Sequence, residues 1–209
     1  MQTEKVAEIT AYFGKLFGPE PKCELNYSTE VELLVAIMLS AQCTDKRVNI
    51  VTRDLFKRFK TIQDFAAADQ TELEKLVYST GFYHNKAKNI IATCKKIMEN
   101  HGGKIPNTLE ELSKLPGVGR KTASVFLCEF HNIPAIPIDT HVARVSNRLG
   151  FTTNRNPLAI ERDLAKLLPR EDWPKFHLQT VLFGRYYCTA RNPKCESCEI
   201  SKFCNNVVY

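Results

Sequence analysis

The chain has 209 residues, of which 44% are hydrophobic and 25% charged, the balance of a globular protein able to bury a core. The longest unbroken apolar run, Leu33 to Leu39, is too short to span a bilayer, and the polar start Met1-Gln2-Thr3-Glu4-Lys5 shows no signal peptide, so a cytoplasmic protein without membrane contact is expected. The net charge of +6 is compatible with a polyanionic partner but does not demand one.

Apolar periodicity is helical nearly throughout. Val6, Ile9, Tyr12, Phe13 and Leu16 recur at spacings of three and four, and Gly18 stops that helix. Thr29 and Glu32 form a capping-box pattern ahead of the run to Leu39. Val48, Val51, Leu55, Phe56 and Phe59 line one face of a further helix, and Leu73, Leu76 and Val77 make a short one that ends at Gly81. A longer helix carries Ala87, Ile90, Ile91, Cys94, Ile97 and Met98 and ends at Gly102-Gly103. Thr108 and Glu111 cap a helix reaching Leu115, and another runs beyond Gly119 through Val125, Phe126 and Phe130. After the Pro-broken stretch Ile133 to Pro137, helices are expected near 141–149, 157–168 and 173–187. No run alternates as a strand would, so the predicted fold class is all-α. Segments 79–85 and 115–121 read as surface turns able to meet a ligand.

Three constellations carry chemistry. In Leu115-Pro116-Gly117-Val118-Gly119-Arg120-Lys121-Thr122-Ala123, two glycines bracket one apolar residue at the start of a helix, where outward N–H groups suit a phosphate oxygen. A plain helix–helix turn would also use glycine, but the whole string reads as a helix–hairpin–helix that holds a DNA backbone. Lys121 falls in the first turn of the following helix, beside Arg120. The positive end of the helix dipole and the neighbouring cation both favour a free, nucleophilic amine there. Taken alone, Lys121 reads better as a partner for phosphate, and the case for a nucleophile needs the next constellation. Asp139, in Pro137-Ile138-Asp139-Thr140-His141-Val142, precedes a helix, where it serves as an N-cap, as a participant in chemistry, or as both.

The third constellation is in the cysteines. Of eight, Cys188, Cys195, Cys198 and Cys204 lie close together near the C-terminus. In a cytosolic chain such crowding argues for metal, and four thiolates suit either zinc or an iron–sulfur cluster. Arg185, Arg191, Lys194 and Lys202 make the segment basic, as a DNA-facing element would be. Cys94 and Cys128 fall on apolar helical faces and read as small core residues.

Together the hairpin, the Asp139 loop and the cysteine spacing resemble the endonuclease III family of helix–hairpin–helix DNA glycosylases, over nearly the whole chain. Leu39-Ser40-Ala41-Gln42-Cys43-Thr44-Asp45 resembles the family's early motif. The resemblance implies a 4Fe–4S cluster on the four cysteines, a nucleophilic lysine at Lys121 and an essential aspartate at Asp139. It puts the glutamine that enters the duplex at Gln42. The intercalating wedge, usually leucine, falls on Phe82, and Cys43 stands where a smaller residue is usual. Gly117, Gly119, Arg120 and Arg191 would contact DNA.

The implied architecture is a six-helix barrel domain over 21–132 and a cluster domain joining 1–20 to 133–209. The two would surround a DNA-binding cleft with Lys121 facing Asp139. The implied activity is removal of oxidised pyrimidines and cleavage 3′ to the abasic site by β-elimination. The expected partner is double-stranded DNA with damaged bases or abasic sites, met by a monomer associated with the nucleoid. An adenine-mismatch glycosylase shares hairpin and cluster, but that branch lacks the lysine. A non-catalytic DNA-binding module is the rival from another class, and Lys121 with Asp139 argue against it.

Overall fold

The computed structural model describes residues 2–205. Eleven α-helices and no strand occur among the described residues. None of these helices is long and apolar enough to cross a membrane. The chain divides into two compact units, Cys23–Asn132 and the pair Met1–Lys22 with Ile133–Tyr209.

The continuous unit holds α2 (Glu30–Ser40), α3 (Asp45–Arg58), α4 (Ile62–Ala66), α5 (Gln70–Val77), α6 (Tyr83–His101), α7 (Leu109–Ser113) and α8 (Arg120–His131). Helix α2 is apolar on every side, and Val31 and all residues from Leu33 to Leu39 are buried. A helix of that pattern can only be a core helix. Thr29 accepts from the Glu32 amide at 3.3 Å, but the Glu32 carboxylate accepts from Ser28 N at 2.6 Å rather than from the cap residue itself, which modifies the expected capping box.

Short α4 is absent from the sequence expectation, because five residues are too few to show a period. It is held instead by a full capping box between Thr61 and Asp64 and by Phe65 stacked on Phe59 with ring centres 5.3 Å apart. The amides of Lys60 and Thr61 and the Thr61 hydroxyl hold the Asp64 carboxyl below the usual range. Cys94 and Cys128 are buried. Burial alone pushes the Cys94 thiol up to about 12, so it behaves as a small hydrophobe.

The discontinuous unit holds α1 (Gln2–Phe17), α9 (Thr140–Arg148), α10 (Pro157–Leu167) and α11 (Trp173–Tyr186). Its core gathers Ile9 and Phe13 from α1, Val142 and Val145 from α9, Ile160 and Leu164 from α10, and Phe176 and Phe183 from α11. Phe13 packs on Phe183 with ring centres 4.9 Å apart. Helices α9 and α11 approach closely at Gly184. A Cβ built there would stand 2.8 Å from the Cβ of His141 and 3.1 Å from Nη2 of Arg144.

Gly184→Ala therefore sets two effects against each other. Alanine is the better helix former by about 1 kcal/mol. The overlap with His141 and Arg144 outweighs that gain, and a net loss of about 1–3 kcal/mol is expected. Urea unfolding of both proteins checks it, and a midpoint at or above that of the parent would show that the α9–α11 contact yields easily.

Candidate DNA-repair site

The hairpin between α7 and α8 is pinned from within. Leu115 and Val118 are buried, and Val118 N donates to Leu115 O at 3.1 Å. From α6, Thr93 Oγ1 donates to Pro116 O at 2.5 Å and Lys96 Nζ to Lys114 O at 3.0 Å. Gly117 has φ +73° and lies against α6, where a Cβ would stand 2.8 Å from the Cβ of Asn89. Glycine is required there twice over, by backbone conformation and by packing. Gly119 differs: nothing lies within 4 Å of where its Cβ would be. It is the N-cap residue of α8, and no side chain caps that helix. The first amides of α8 lack i−4 acceptors and, with the helix dipole, favour an anion. Arg120 and Lys121 are the first two residues of α8, both exposed.

Gln42 and Phe82 are both exposed and both strained. Of the non-glycine residues described, only Gln42 (φ 53°), Phe82 (φ 50°) and Asn132 (φ 53°) adopt the left-handed region. Asn132 ends α8, a position where asparagine commonly takes this conformation. Glutamine and phenylalanine have no such preference, and strain of this kind gathers at functional sites. Gln42 follows the end of α2, and Phe82 is the N-cap residue of α6, 64% exposed. Both line one pocket that also includes Asn89 and Gly117. The continuous unit thus brings the Gln42 loop, the Phe82 turn and the hairpin together.

Asp139 is the N-cap of α9, its Oδ1 accepting from Val142 N at 2.8 Å. Two residues on, burial pushes the His141 imidazole below its usual value, with Arg144 and Arg185 adding to the effect and Asp139 opposing it. Farther along α9, Arg144 donates to Gly184 O at 2.7 Å and to Cys188 O at 3.0 Å. Arg148 donates to Thr189 O at 2.7 Å, Ala190 O at 3.1 Å and the Cys188 Sγ at 3.2 Å. Sequence reading passed over both arginines, since α9 shows them only as polar helix positions.

Cys188, Cys195, Cys198 and Cys204 line one pocket with Arg148, Tyr187 and other residues of the same unit. Burial raises the Cys198 thiol, the Ile200 backbone opposes it, and Cys188, Cys195 and Cys204 each raise it further. No three Cys, His, Asp or Glu side chains among the described residues converge on a point for one metal ion. Zinc needs four sulfurs about 2.3 Å from a single centre. Four cysteines lining one pocket without converging on a point suit a polynuclear cluster better. Arg191 is exposed in the same segment.

Residues 35–170 match the HhH-GPD superfamily of base excision DNA repair proteins, and residues 188–204 match the iron-sulfur binding domain of endonuclease III. Endonuclease III of Synechocystis sp. is 48% identical over 202 residues, covering 96% of this chain and 92% of that protein. The chain belongs to the endonuclease III family. Endonuclease III of Bacillus subtilis is 46% identical over 192 residues, 91% of this chain and 87% of that protein. A solved structure of a trapped endonuclease III–DNA covalent intermediate, an estranged-adenine complex, superposes with a TM-score of 0.93 at 42% identity, covering 97% of this chain and 95% of that one. The cofactor of this endonuclease III family member is a 4Fe–4S cluster, which decides between the two metals that four cysteines left open.

The two hairpin glycines give opposite expectations. Gly117→Ala strains φ and displaces Asn89, so it should destabilise the protein by about 1–3 kcal/mol. Gly119→Ala meets open space at an ordinary φ of −83° and should fold normally, yet weaken binding to duplex DNA by crowding the uncapped amides at the start of α8. Thermal unfolding and a DNA titration on both variants separate the cases. Parent-like DNA affinity in Gly119→Ala would remove that residue from the phosphate grip.

Proposed function

We propose that the protein is a bifunctional DNA glycosylase and abasic-site lyase of base excision repair. It acts as a cytoplasmic, nucleoid-associated monomer on duplex DNA containing oxidised pyrimidines or abasic sites. The observation that carries this reading is the position of Lys121, in the first turn of the helix whose uncapped start follows the hairpin.

A target base must leave the stack before its sugar can be attacked. Phe82 and Gln42 fill the gap and offset part of an unstacking cost on the order of a few kcal/mol. The amides at Gly117 and Gly119 and the Arg120 side chain hold a backbone phosphate, and Arg191 adds a second contact. The neutral Lys121 Nζ attacks C1′, and the bond from C1′ to the damaged base breaks with its electron pair leaving on the base. Proton loss from nitrogen and opening of the sugar give a Schiff base. Loss of a C2′ proton then drives cleavage of the C3′–O3′ bond, and water releases Lys121. Asp139 stabilises the positive charge that builds on the sugar and takes part in proton transfer. Its cap to Val142 N uses Oδ1, which leaves Oδ2 for this work.

Cys188, Cys195, Cys198 and Cys204 hold the 4Fe–4S cluster. Their mutual proximity and the hydrogen bond from Arg148 to Cys188 support that assignment. A cluster held by these four cysteines would order the basic segment that carries Arg191.

Borohydride should trap the parent protein on abasic duplex DNA. Lys121→Gln should lose trapping and strand cutting while keeping most DNA affinity. Asp139→Asn keeps a capping side chain, so it should fold normally but release bases roughly 10²–10⁴-fold more slowly. A trapped adduct in Lys121→Gln would place the nucleophile elsewhere.

Phe82→Ala should slow base release from paired duplex far more than strand cleavage on single-stranded abasic DNA, because a wedge matters only where a stack must open. Single-turnover rates on both substrates check this, and equal losses would give Phe82 a purely structural part.

A further inference from the structure

Lys86 is used by none of these steps, yet its side chain is buried, with the residue 7% exposed. Its ammonium donates to Leu39 O and to Thr80 O, each at 2.8 Å. Both acceptors are main-chain carbonyls. Burial pushes the group below the usual lysine range, and only a modest effect from Cys43 opposes it. A buried cation needs a return for the water it gives up.

The two carbonyls share a location. Leu39 lies in the last turn of α2, just before the loop that bears Gln42. Thr80 closes the 3₁₀ turn Tyr78–Thr80, just before Gly81 and Phe82. Lys86 therefore ties together the two segments in which Gln42 and Phe82 adopt left-handed backbone. Such conformations persist only where the surroundings over-determine them. The ammonium can reach both carbonyls because it is a compact donor on a long flexible stem, and the negative end of the α2 dipole at Leu39 attracts it. Ala41, Gln42, Phe82, Asn85, Lys86 and Gly117 line the same pocket.

We propose that Lys86 is a positioning residue that clamps the Gln42 loop to the Phe82 turn, so that both side chains meet an opening duplex already ordered. The proposal rests on the duplex-opening parts assigned above to Gln42 and Phe82. Lys86 itself touches neither the reacting sugar nor the base.

The test uses the full-length, cluster-loaded protein with Lys86→Met, which keeps the stem and removes every donor. Hydrogen exchange should quicken in segments 41–43 and 80–82 together, with α8 unchanged. Single-turnover base release from duplex should fall on the order of tenfold, while cleavage of single-stranded abasic DNA stays within about twofold of the parent. Adding Lys86→Met to Phe82→Ala and Gln42→Ala should cost the duplex reaction little more, because the clamp would have nothing left to place. Equal losses on the two substrates, or unchanged exchange in both segments, would overturn the proposal. Should Lys86→Met fail to fold, Lys86→Gln takes its place. Its shorter amide can serve one carbonyl but not both, so the same selectivity with a smaller loss is expected, and equal losses or parent-like rates would again overturn the clamp. If Phe82→Ala and Gln42→Ala show no preference for duplex, the duplex-opening reading fails on its own account, and the exchange measurement still decides whether Lys86 holds the two segments.

Discussion

The cysteine-bearing segment is anchored, where it leaves α11, by two arginines on α9. Helix α11 ends with carbonyls that lack intrahelical donors, and the chain then turns away through Cys188, Thr189 and Ala190. Arg144 and Arg148 are four residues apart, so they project from the same face of α9. Between them they satisfy Gly184 O and the carbonyls of all three of those residues. The Asn205 amide returns to Arg148 O at 2.8 Å, which closes the segment from its far end. The same helix begins at Asp139. One short rigid element thus joins the aspartate to the cluster-binding segment.

The eight cysteines divide by environment. Cys94 lies among apolar side chains, and its thiol stays protonated. Cys188 accepts a charged hydrogen bond from Arg148, and burial, with the neighbouring C-terminal cysteines, raises the Cys198 thiol. A guanidinium beside sulfur favours the thiolate that a cluster requires. The helix starts divide in a similar way. Thr29, Thr44, Thr61, Asp69, Thr108, Asp139 and Asn156 each cap a helix with a side chain. Gly119 has none to offer and leaves the start of α8 without a side-chain cap.

Much of this was legible in the sequence, for reasons that can be named. The longer helices announced themselves by period, and the hairpin and the cysteines by spacing. Asp139 was readable as a cap because its neighbours told of a helix beginning. What stayed hidden depends on contacts between distant segments. Lys86 reads as one more polar residue on α6 until Leu39 and Thr80 are seen above it. Gly117 reads as a turn glycine, whereas its contact with Asn89 makes it a packing residue as well. Phe82 could be placed as a wedge by resemblance, but its left-handed backbone could not be foreseen, since phenylalanine rarely adopts it. That α1 packs with α11, across most of the chain length, left no local trace either.

Helix α6 has a further consequence as a measuring element. It starts at Phe82 and touches the hairpin through Asn89 and Thr93. At about 1.5 Å per residue, seven residues of helix from Phe82 to Asn89 span roughly 10 Å, close to three base steps along a duplex. The interval between Phe82 and the hairpin is therefore set by a count of residues in a stiff rod. A single residue inserted between Phe82 and Asn89 would turn one end against the other by about 100° as well as lengthening the rod. Lengths of loops elsewhere can drift among relatives, but this stretch of α6 has the rigidity of a gauge.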